Sequence, residues 1–394
     1  MNLHVREAAA SFGPAWLVMI ADVDVASIIT GLQAGAAWGY HLIFVMLILT
    51  LPLFVIQDAA GRLGTLGGVG LGEAILRRYG RRTALLAAVP MAVTDFLEYV
   101  AEYAGIAIGL ALLGLPILPG LAIAYVLHLA IVAGREYHQA ERILLPVSFA
   151  LVLSLAASVF FFHVDFGTAA AVGLSPLQPY GESSFRYLAA ASIGAVVMPW
   201  MLYFHSGADS RKRAEDRNPK KERRTTLASA LVSEVLMASI VLLGTQLPLA
   251  GDSLGVLGLG DVLAPFDANV QILLGIGFIA AGFLALVVVS MGSAWGVMEA
   301  TGSSSRRSFL TIYLAESSPA LLLVVLTTDY VPLILSLMVS FTIVIIPSLY
   351  FLGRLVGDAE IMRGHAHGRR ARVAFWAASV AVVGGGILGL LTVV

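Results

Sequence analysis

Ala21-Asp22-Val23-Asp24-Val25-Ala26-Ser27 sets two carboxylates among β-branched residues at the centre of an otherwise apolar stretch. Ala195-Val196-Val197-Met198-Pro199-Trp200 sets a proline at the centre of another. Proline removes a backbone donor and clashes with the carbonyl four residues back, so a helix kinks or unwinds there. In lipid, the carbonyls freed by such a break are tolerated only where protein or a cavity satisfies them. Two interrupted helices at matching places in two halves of a chain mark an inverted repeat with its binding site near the bilayer midplane. The halves share no clear residue identity, so the repeat is read from position alone.

Composition supports a membrane setting. Of 394 residues, 59% are hydrophobic and 12% charged, against roughly 45–50% and 25% in soluble domains. Mean hydropathy is +0.89. A soluble chain this apolar could not cover its surface with polar groups, and disorder is excluded by the same excess. Long apolar runs, not short alternating segments, exclude a transmembrane β-barrel. The net charge of −1 gives no global attraction to nucleic acid. The absence of cysteine excludes disulfides, iron–sulfur clusters and Cys-ligated zinc. Met1 to Ser11 has no short apolar region followed by a cleavage site, so no leader peptide is expected.

Eleven apolar stretches are expected as spans, at 12–37, 41–60, 83–113, 118–133, 143–163, 184–207, 227–248, 268–298, 308–327, 331–353 and 373–394. They form one transmembrane unit: spans 1–5 (12–163), spans 6–10 (184–353) and an eleventh span (373–394). With the N-terminus inside, every one of the 24 Lys and Arg residues except Arg186 falls in an inner segment. This asymmetry predicts a cytoplasmic N-terminus and an outer C-terminus. The basic 6–7 loop, with Asp209, Glu215, Asp216 and Glu222 among its cations, reads as topological and not as a nucleic-acid patch. The outer loop from Gly251 to Asp267 carries no functional signal.

A charge at the bilayer centre costs at least about 2.5–3.5 kcal/mol on insertion scales, so each needs a reason. Span 1 holds Asp22 and Asp24, span 3 Asp95, Glu98 and Glu102, span 7 Glu234, and span 6 His205. Almost no basic residues lie in the spans, which points to a cation pathway for metal ions, protons or both. Asp95, Glu98 and Glu102 stand at i, i+3 and i+7 and share one helix face. That face suits a proton relay, with His205 and Glu234 as further candidates; acids at a wet helix end are the alternative reading.

The stretches Gly13-Pro14-Ala15-Trp16, Asp24, Gly39-Tyr40, and Met198-Pro199-x-x-Leu202-Tyr203-x-His205-Ser206 resemble the Nramp family of divalent metal transporters. That family pairs Asp-Pro-Gly-Asn in span 1 with Met-Pro-His-Asn-Leu-x-x-His-Ser in span 6. Glu102-Tyr103-Ala104-Gly105 looks like its span-3 motif, and Val297-Met298-Glu299 also fits. The resemblance implies an all-α, LeuT-type fold of five plus five inverted spans with spans 1 and 6 broken, plus an eleventh span. It implies a metal site from Asp24, Ser27 in the place of the family's Asn, the Ala195 carbonyl and the Met198 thioether. A carboxylate and carbonyls suit Mn²⁺ and Fe²⁺, while a soft sulfur disfavours Ca²⁺ and Mg²⁺.

The departures matter. Trp200 stands for the family's first span-6 His, Met201 for its Asn, and Tyr99 for its span-3 Asp. Its span-10 glutamines have no match; Ser336 and Ser340 are the nearest polar groups. Asp22 is an added acid, and with Trp200, Ser336 and Ser340 it is a candidate for further metal contact or gating. The expected function is secondary transport of Mn²⁺ or Fe²⁺ by alternating access, with proton symport left open. The alternatives are a Mg²⁺ carrier, an uncoupled metal facilitator, or an amino-acid transporter of the same fold. Gly-x-Ser-x-Gly and His-Glu-x-x-His are absent, so no enzyme is expected. No cofactor and no obligate protein partner are implied. The expected location is the plasma (inner) membrane of a prokaryote.

Overall fold

In the computed structural model, the described residues are 13–134, 137–161, 164–213, 217–247, 267–326 and 331–391. The segment Met1 to Ser11 and nearly all of the loop from Gly251 to Asp267 lie outside them.

Each expected apolar stretch has a helical counterpart. Span 1 is α1 (Pro14–Ala21) and α2 (Val25–Trp38), span 2 is α3 (Ile43–Arg62), and α4 (Leu71–Tyr79) precedes span 3, which is α5 (Arg81–Leu112). Spans 4 and 5 are α6 (Ile117–Gly134) and α7 (Tyr137–Val159), followed by the short α8 (Phe166–Gly173). Span 6 is α9 (Ser183–Val196) and α10 (Pro199–Ser210); spans 7, 8 and 9 are α11 (Pro219–Gly244), α12 (Ala268–Thr301) and α13 (Arg306–Leu326). Span 10 is α14 (Val331–Val344) with α15 (Ile346–Leu355), and span 11 is α16 (Arg369–Leu390). Among the described residues, 9 helices are long and apolar enough to cross a membrane, and the bent pair α1–α2 makes a tenth. Ile117–Ala133 is apolar but shorter.

Two helices were not expected. α4 is amphipathic, with Glu73 in its first turn and Arg77 and Arg78 in its last, as a helix dipole favours. It ends at Gly80, whose φ of 86° lies where only glycine is unstrained. α8 is capped by Asp165, which accepts hydrogen bonds from the Gly167 and Thr168 amides at 3.0 and 3.1 Å.

Both expected breaks are present. α1 and α2 meet at 48°, and Asp24 is the extended N-cap between them (φ −83°, ψ −177°). In span 6, Val197 and Met198 are extended, and Pro199 starts α10 where its missing N–H costs nothing. Span 3 packs against the span 1 break and against span 8 with backbones in close approach. A Cβ on Gly105 would strike the Val25 side chain, and one on Gly282 would lie 2.6 Å from the Glu102 carbonyl oxygen. This closeness carries the acids of span 3 to the break in span 1.

Candidate functional site

Asp24 is fixed by its own helix. Its Oδ1 accepts the Ser27 backbone N–H at 2.7 Å, which leaves Oδ2 without a partner. The Ser27 hydroxyl donates to the Ala195 carbonyl at 3.2 Å, so the two breaks touch through that bond. Three of the four residues expected around a metal, Asp24, Ser27 and Ala195, are therefore brought together. Met198 sits fully buried in the span 6 break, its backbone N–H donated to the Met201 sulfur at 3.4 Å.

Span 3 adds two carboxylates to this place. Glu102 Oε2 accepts the Val25 N–H at 3.3 Å at the positive end of α2, and Oε1 has no partner. Glu98 Oε1 accepts the Trp200 indole N–H at 3.1 Å, and Oε2 has no partner. Asp24, Glu98 and Glu102 offer oxygens within 4.8 Å of one another, and all three residues are 0% exposed. Three like charges this close in a dry interior repel strongly, and each ion loses several kcal/mol of hydration. Cations, metal or proton, are what such a site demands.

The expected span 3 relay divides. Glu98 and Glu102 face the span 1 break. Asp95 is also fully buried, and its electrostatic neighbour is Glu316 of span 9. Glu316 Oε2 accepts the Tyr99 hydroxyl at 3.1 Å. The sequence reading passed over Glu316, although a lone acid in an apolar span was the signal that identified the others. Asp95 and Asp24 both act electrostatically on Glu98, so the acids continue from the break towards span 9.

His205 belongs elsewhere. Its Nδ1 lies 3.0 Å from Gln57 Oε1, and its Nε2 lies 3.4 Å from Glu222 Oε1 and 3.6 Å from Asp209 Oδ2. Lys212 Nζ bridges the two acids, at 2.7 Å from Asp209 Oδ1 and 2.9 Å from Glu222 Oε2. The cluster stands at the basic-loop end of spans 6 and 7. Glu234 is buried on span 7, where Asp22 lies within its electrostatic reach. The hydroxyls of Ser336 and Ser340 are engaged elsewhere. Ser336 lies 3.5 Å from the Tyr187 hydroxyl, and Ser340 donates to the Ser336 carbonyl at 2.7 Å.

Comparison with known proteins gives a consistent picture. A family model described as natural resistance-associated macrophage protein-like, Nramp, matches residues 15–392. A protein of Mycobacterium tuberculosis named divalent metal cation transporter MntH is 29% identical over 94% of this chain and 88% of its own length. A protein of the same name from Verminephrobacter eiseniae is 29% identical over 51% of this chain, which covers 46% of that relative. Among solved structures, the Eremococcus coleocola manganese transporter superposes with a TM-score of 0.78 at 18% identity, over 99% of this chain and 87% of that one. MhsT, solved with L-phenylalanine, superposes with a TM-score of 0.64 at 12% identity, over 97% and 98%. These two likenesses describe a fold shared by a manganese transporter and a protein solved with an amino acid, so the fold alone does not decide the cargo.

Proposed function

The chain belongs to the Nramp family, and from that premise we propose that it carries a divalent transition metal ion, Mn²⁺ or Fe²⁺, across the membrane by alternating access. The observation that carries this reading is the set of three buried carboxylates at the span 1 break, each with one oxygen free. A divalent ion there takes Asp24 Oδ2, Glu98 Oε2 and Glu102 Oε1, with Ser27, the Ala195 carbonyl and the Met198 sulfur as neighbours. Hard oxygens with one soft sulfur fit Mn²⁺ and Fe²⁺. An amino-acid cargo is disfavoured, because three carboxylates repel its carboxylate.

Charge balance favours proton co-transport. A divalent ion leaves one of three negative charges uncompensated in a dry site, and a proton on one carboxyl removes it. Asp95 and Glu316 extend the carboxyl chain away from the break and supply a route for that proton. The two added glutamates also favour a second reading, transport of Mg²⁺, whose preferred ligands are oxygens. The bias of Lys and Arg puts the N-terminus in the cytoplasm and the C-terminus outside. The bacterial relatives support a prokaryotic plasma membrane.

Uptake into proteoliposomes, with internal pH followed in the same vesicles, tests this. Mn²⁺ entry with acidification is expected, and Asp24→Ala is expected to abolish both. Full transport by a folded Asp24→Ala protein refutes the site. Mg²⁺ entry without Mn²⁺ entry selects the second reading.

A further inference from the structure

Spans 1 and 7 bury a second set of oxygens that the proposed metal path does not use. Asp22 is 1% exposed and its Oδ1 has no hydrogen-bond partner. Glu234 is fully buried and neither of its carboxylate oxygens has one. Ser233, also fully buried, has a hydroxyl without a partner.

The packing of α2 on α11 fixes where these groups stand. A Cβ on Gly31 would lie 2.8 Å from Ile240 Cγ2 and 3.8 Å from Met237 Cε, and further along Gly35 abuts Val241 and Gly244. The two contacts advance in the same sense, so the helices run side by side in parallel. Met237 therefore faces span 1. Glu234 and Ser233 lie three and four residues before it, one turn nearer the break, on the same face. α11 also packs against α1, at whose end Asp22 sits. Asp22 is within electrostatic reach of Glu234 on one side and Asp24 on the other.

Neither Asp22 nor Glu234 has an ion pair among the described residues. Burying an ionised carboxylate without a partner costs several kcal/mol. The serine is an independent sign. It carries no charge to be relieved by protonation, and an unmade buried hydrogen bond costs about 1–3 kcal/mol. A ligand that accepts oxygen lone pairs satisfies both kinds of group, and the donor set contains oxygen alone. We infer that Asp22, Glu234 and Ser233 form a second cation site between spans 1 and 7, for a hard alkali or alkaline-earth ion distinct from the ion held at Asp24. Such an ion ties the broken span to its neighbour beside the hinge. This inference rests on the transport reading only in taking the Asp24 site as separate.

The test uses the full-length protein in lipid nanodiscs. Thermal unfolding is recorded in Na⁺, K⁺, Mg²⁺ or Ca²⁺ against choline at equal ionic strength, with direct binding of the same ions by radiotracer. One of these ions is expected to raise Tm and to bind in the wild type and in Asp24→Ala. Glu234→Gln is expected to lose both effects, and Ser233→Ala to weaken binding about tenfold, the loss of one oxygen contact to a charged ligand. Ser233→Ala and Asp22→Asn carry the test if Glu234→Gln does not fold. No preference over choline, or an effect lost in Asp24→Ala and kept in Glu234→Gln, overturns the second site. Mn²⁺ binding is measured in parallel on every variant. Its absence from the wild type counts against the transport reading, and its retention in Glu234→Gln shows that the two sites are separate.

Discussion

Trp200, which the family resemblance sets in the place of a histidine, offers a ring N–H of its own. The indole donates to Glu98 Oε1 and so holds the carboxylate that shares the site with Asp24 and Glu102. Trp200→Phe keeps the ring volume and removes the donor. A hydrogen bond to a charged group contributes about 1.5–3 kcal/mol, so the metal KM is expected to rise about tenfold or more. Trp200→His is expected to recover most of that loss. Uptake kinetics check both, and an unchanged KM in Trp200→Phe removes Trp200 from the site. Glu98→Gln keeps the shape and removes one of three charges, and it is expected to weaken metal binding while leaving Tm equal or higher. Asp24 was legible because it lies in a break that the sequence itself announces; Ser27 and Ala195, in the helices that flank the breaks, were named by the family resemblance. Glu98 and Glu102 were legible as buried acids but not as neighbours of Asp24. That proximity comes from packing of span 3 on span 1, across 77 residues of chain in the Glu102–Val25 contact. Glu316 took its meaning from Tyr99, 217 residues away, and no local pattern joins them.

Among the elements, the two breaks and the helix that crosses them do different work. Apolar runs and Pro199 were enough to mark the spans and the interruption in span 6. The 3.6-residue period put Asp95, Glu98 and Glu102 on one face, but one face of a 32-residue helix meets several neighbours along its length. The face therefore splits between span 1 and span 9. The short helices α4 and α8 escaped notice because helices of 9 and 8 residues leave too few turns for a clear pattern. Gly105 shows how tightly span 3 is held against the span 1 break. Gly105→Ala drives a methyl group into Val25, the residue whose N–H holds Glu102. Overpacking of this kind costs about 1–3 kcal/mol. Lower Tm and weaker Mn²⁺ binding are expected together, whereas a lower Tm with unchanged binding would detach the packing from the site. Pro199→Ala restores a backbone donor and lets α9 and α10 join. It is expected to withdraw the Ala195 carbonyl from Ser27 and weaken metal binding, read by calorimetric titration.

For the whole molecule, alternating access requires the ends of the spans to part, and the basic-loop end is tied by a buried charge cluster. Lys212 bridges Asp209 of span 6 and Glu222 of span 7, and its ammonium lies beside Gly13 at the start of span 1, which the Glu141 carboxylate of span 5 also approaches. Burial pushes the Lys212 pKa down, but the charges of Asp209 and Glu222 outweigh it and hold the pKa above its ordinary value. A raised lysine pKa means the stabilisation is fully present below the ordinary value of about 10.4 and is lost only as pH rises beyond it. The ammonium therefore keeps its charge across the physiological range, and opening has to break its bridge to Glu222 mechanically. Lys212→Met leaves two buried acids without their cation, and breaking one partner of a buried pair costs about 3–5 kcal/mol. Part of that cost is relieved when the spans separate and water reaches the acids, so the open population is expected to grow. The chain contains no cysteine, which makes a single Ala15→Cys at the buried start of span 1 a clean reporter. Labelling by a hydrophilic maleimide from the basic-loop side is expected to be faster in Lys212→Met than in the parent, and to slow again in Lys212→Arg. Equal rates in the three proteins mean that the cluster only supports the fold and does not gate the path.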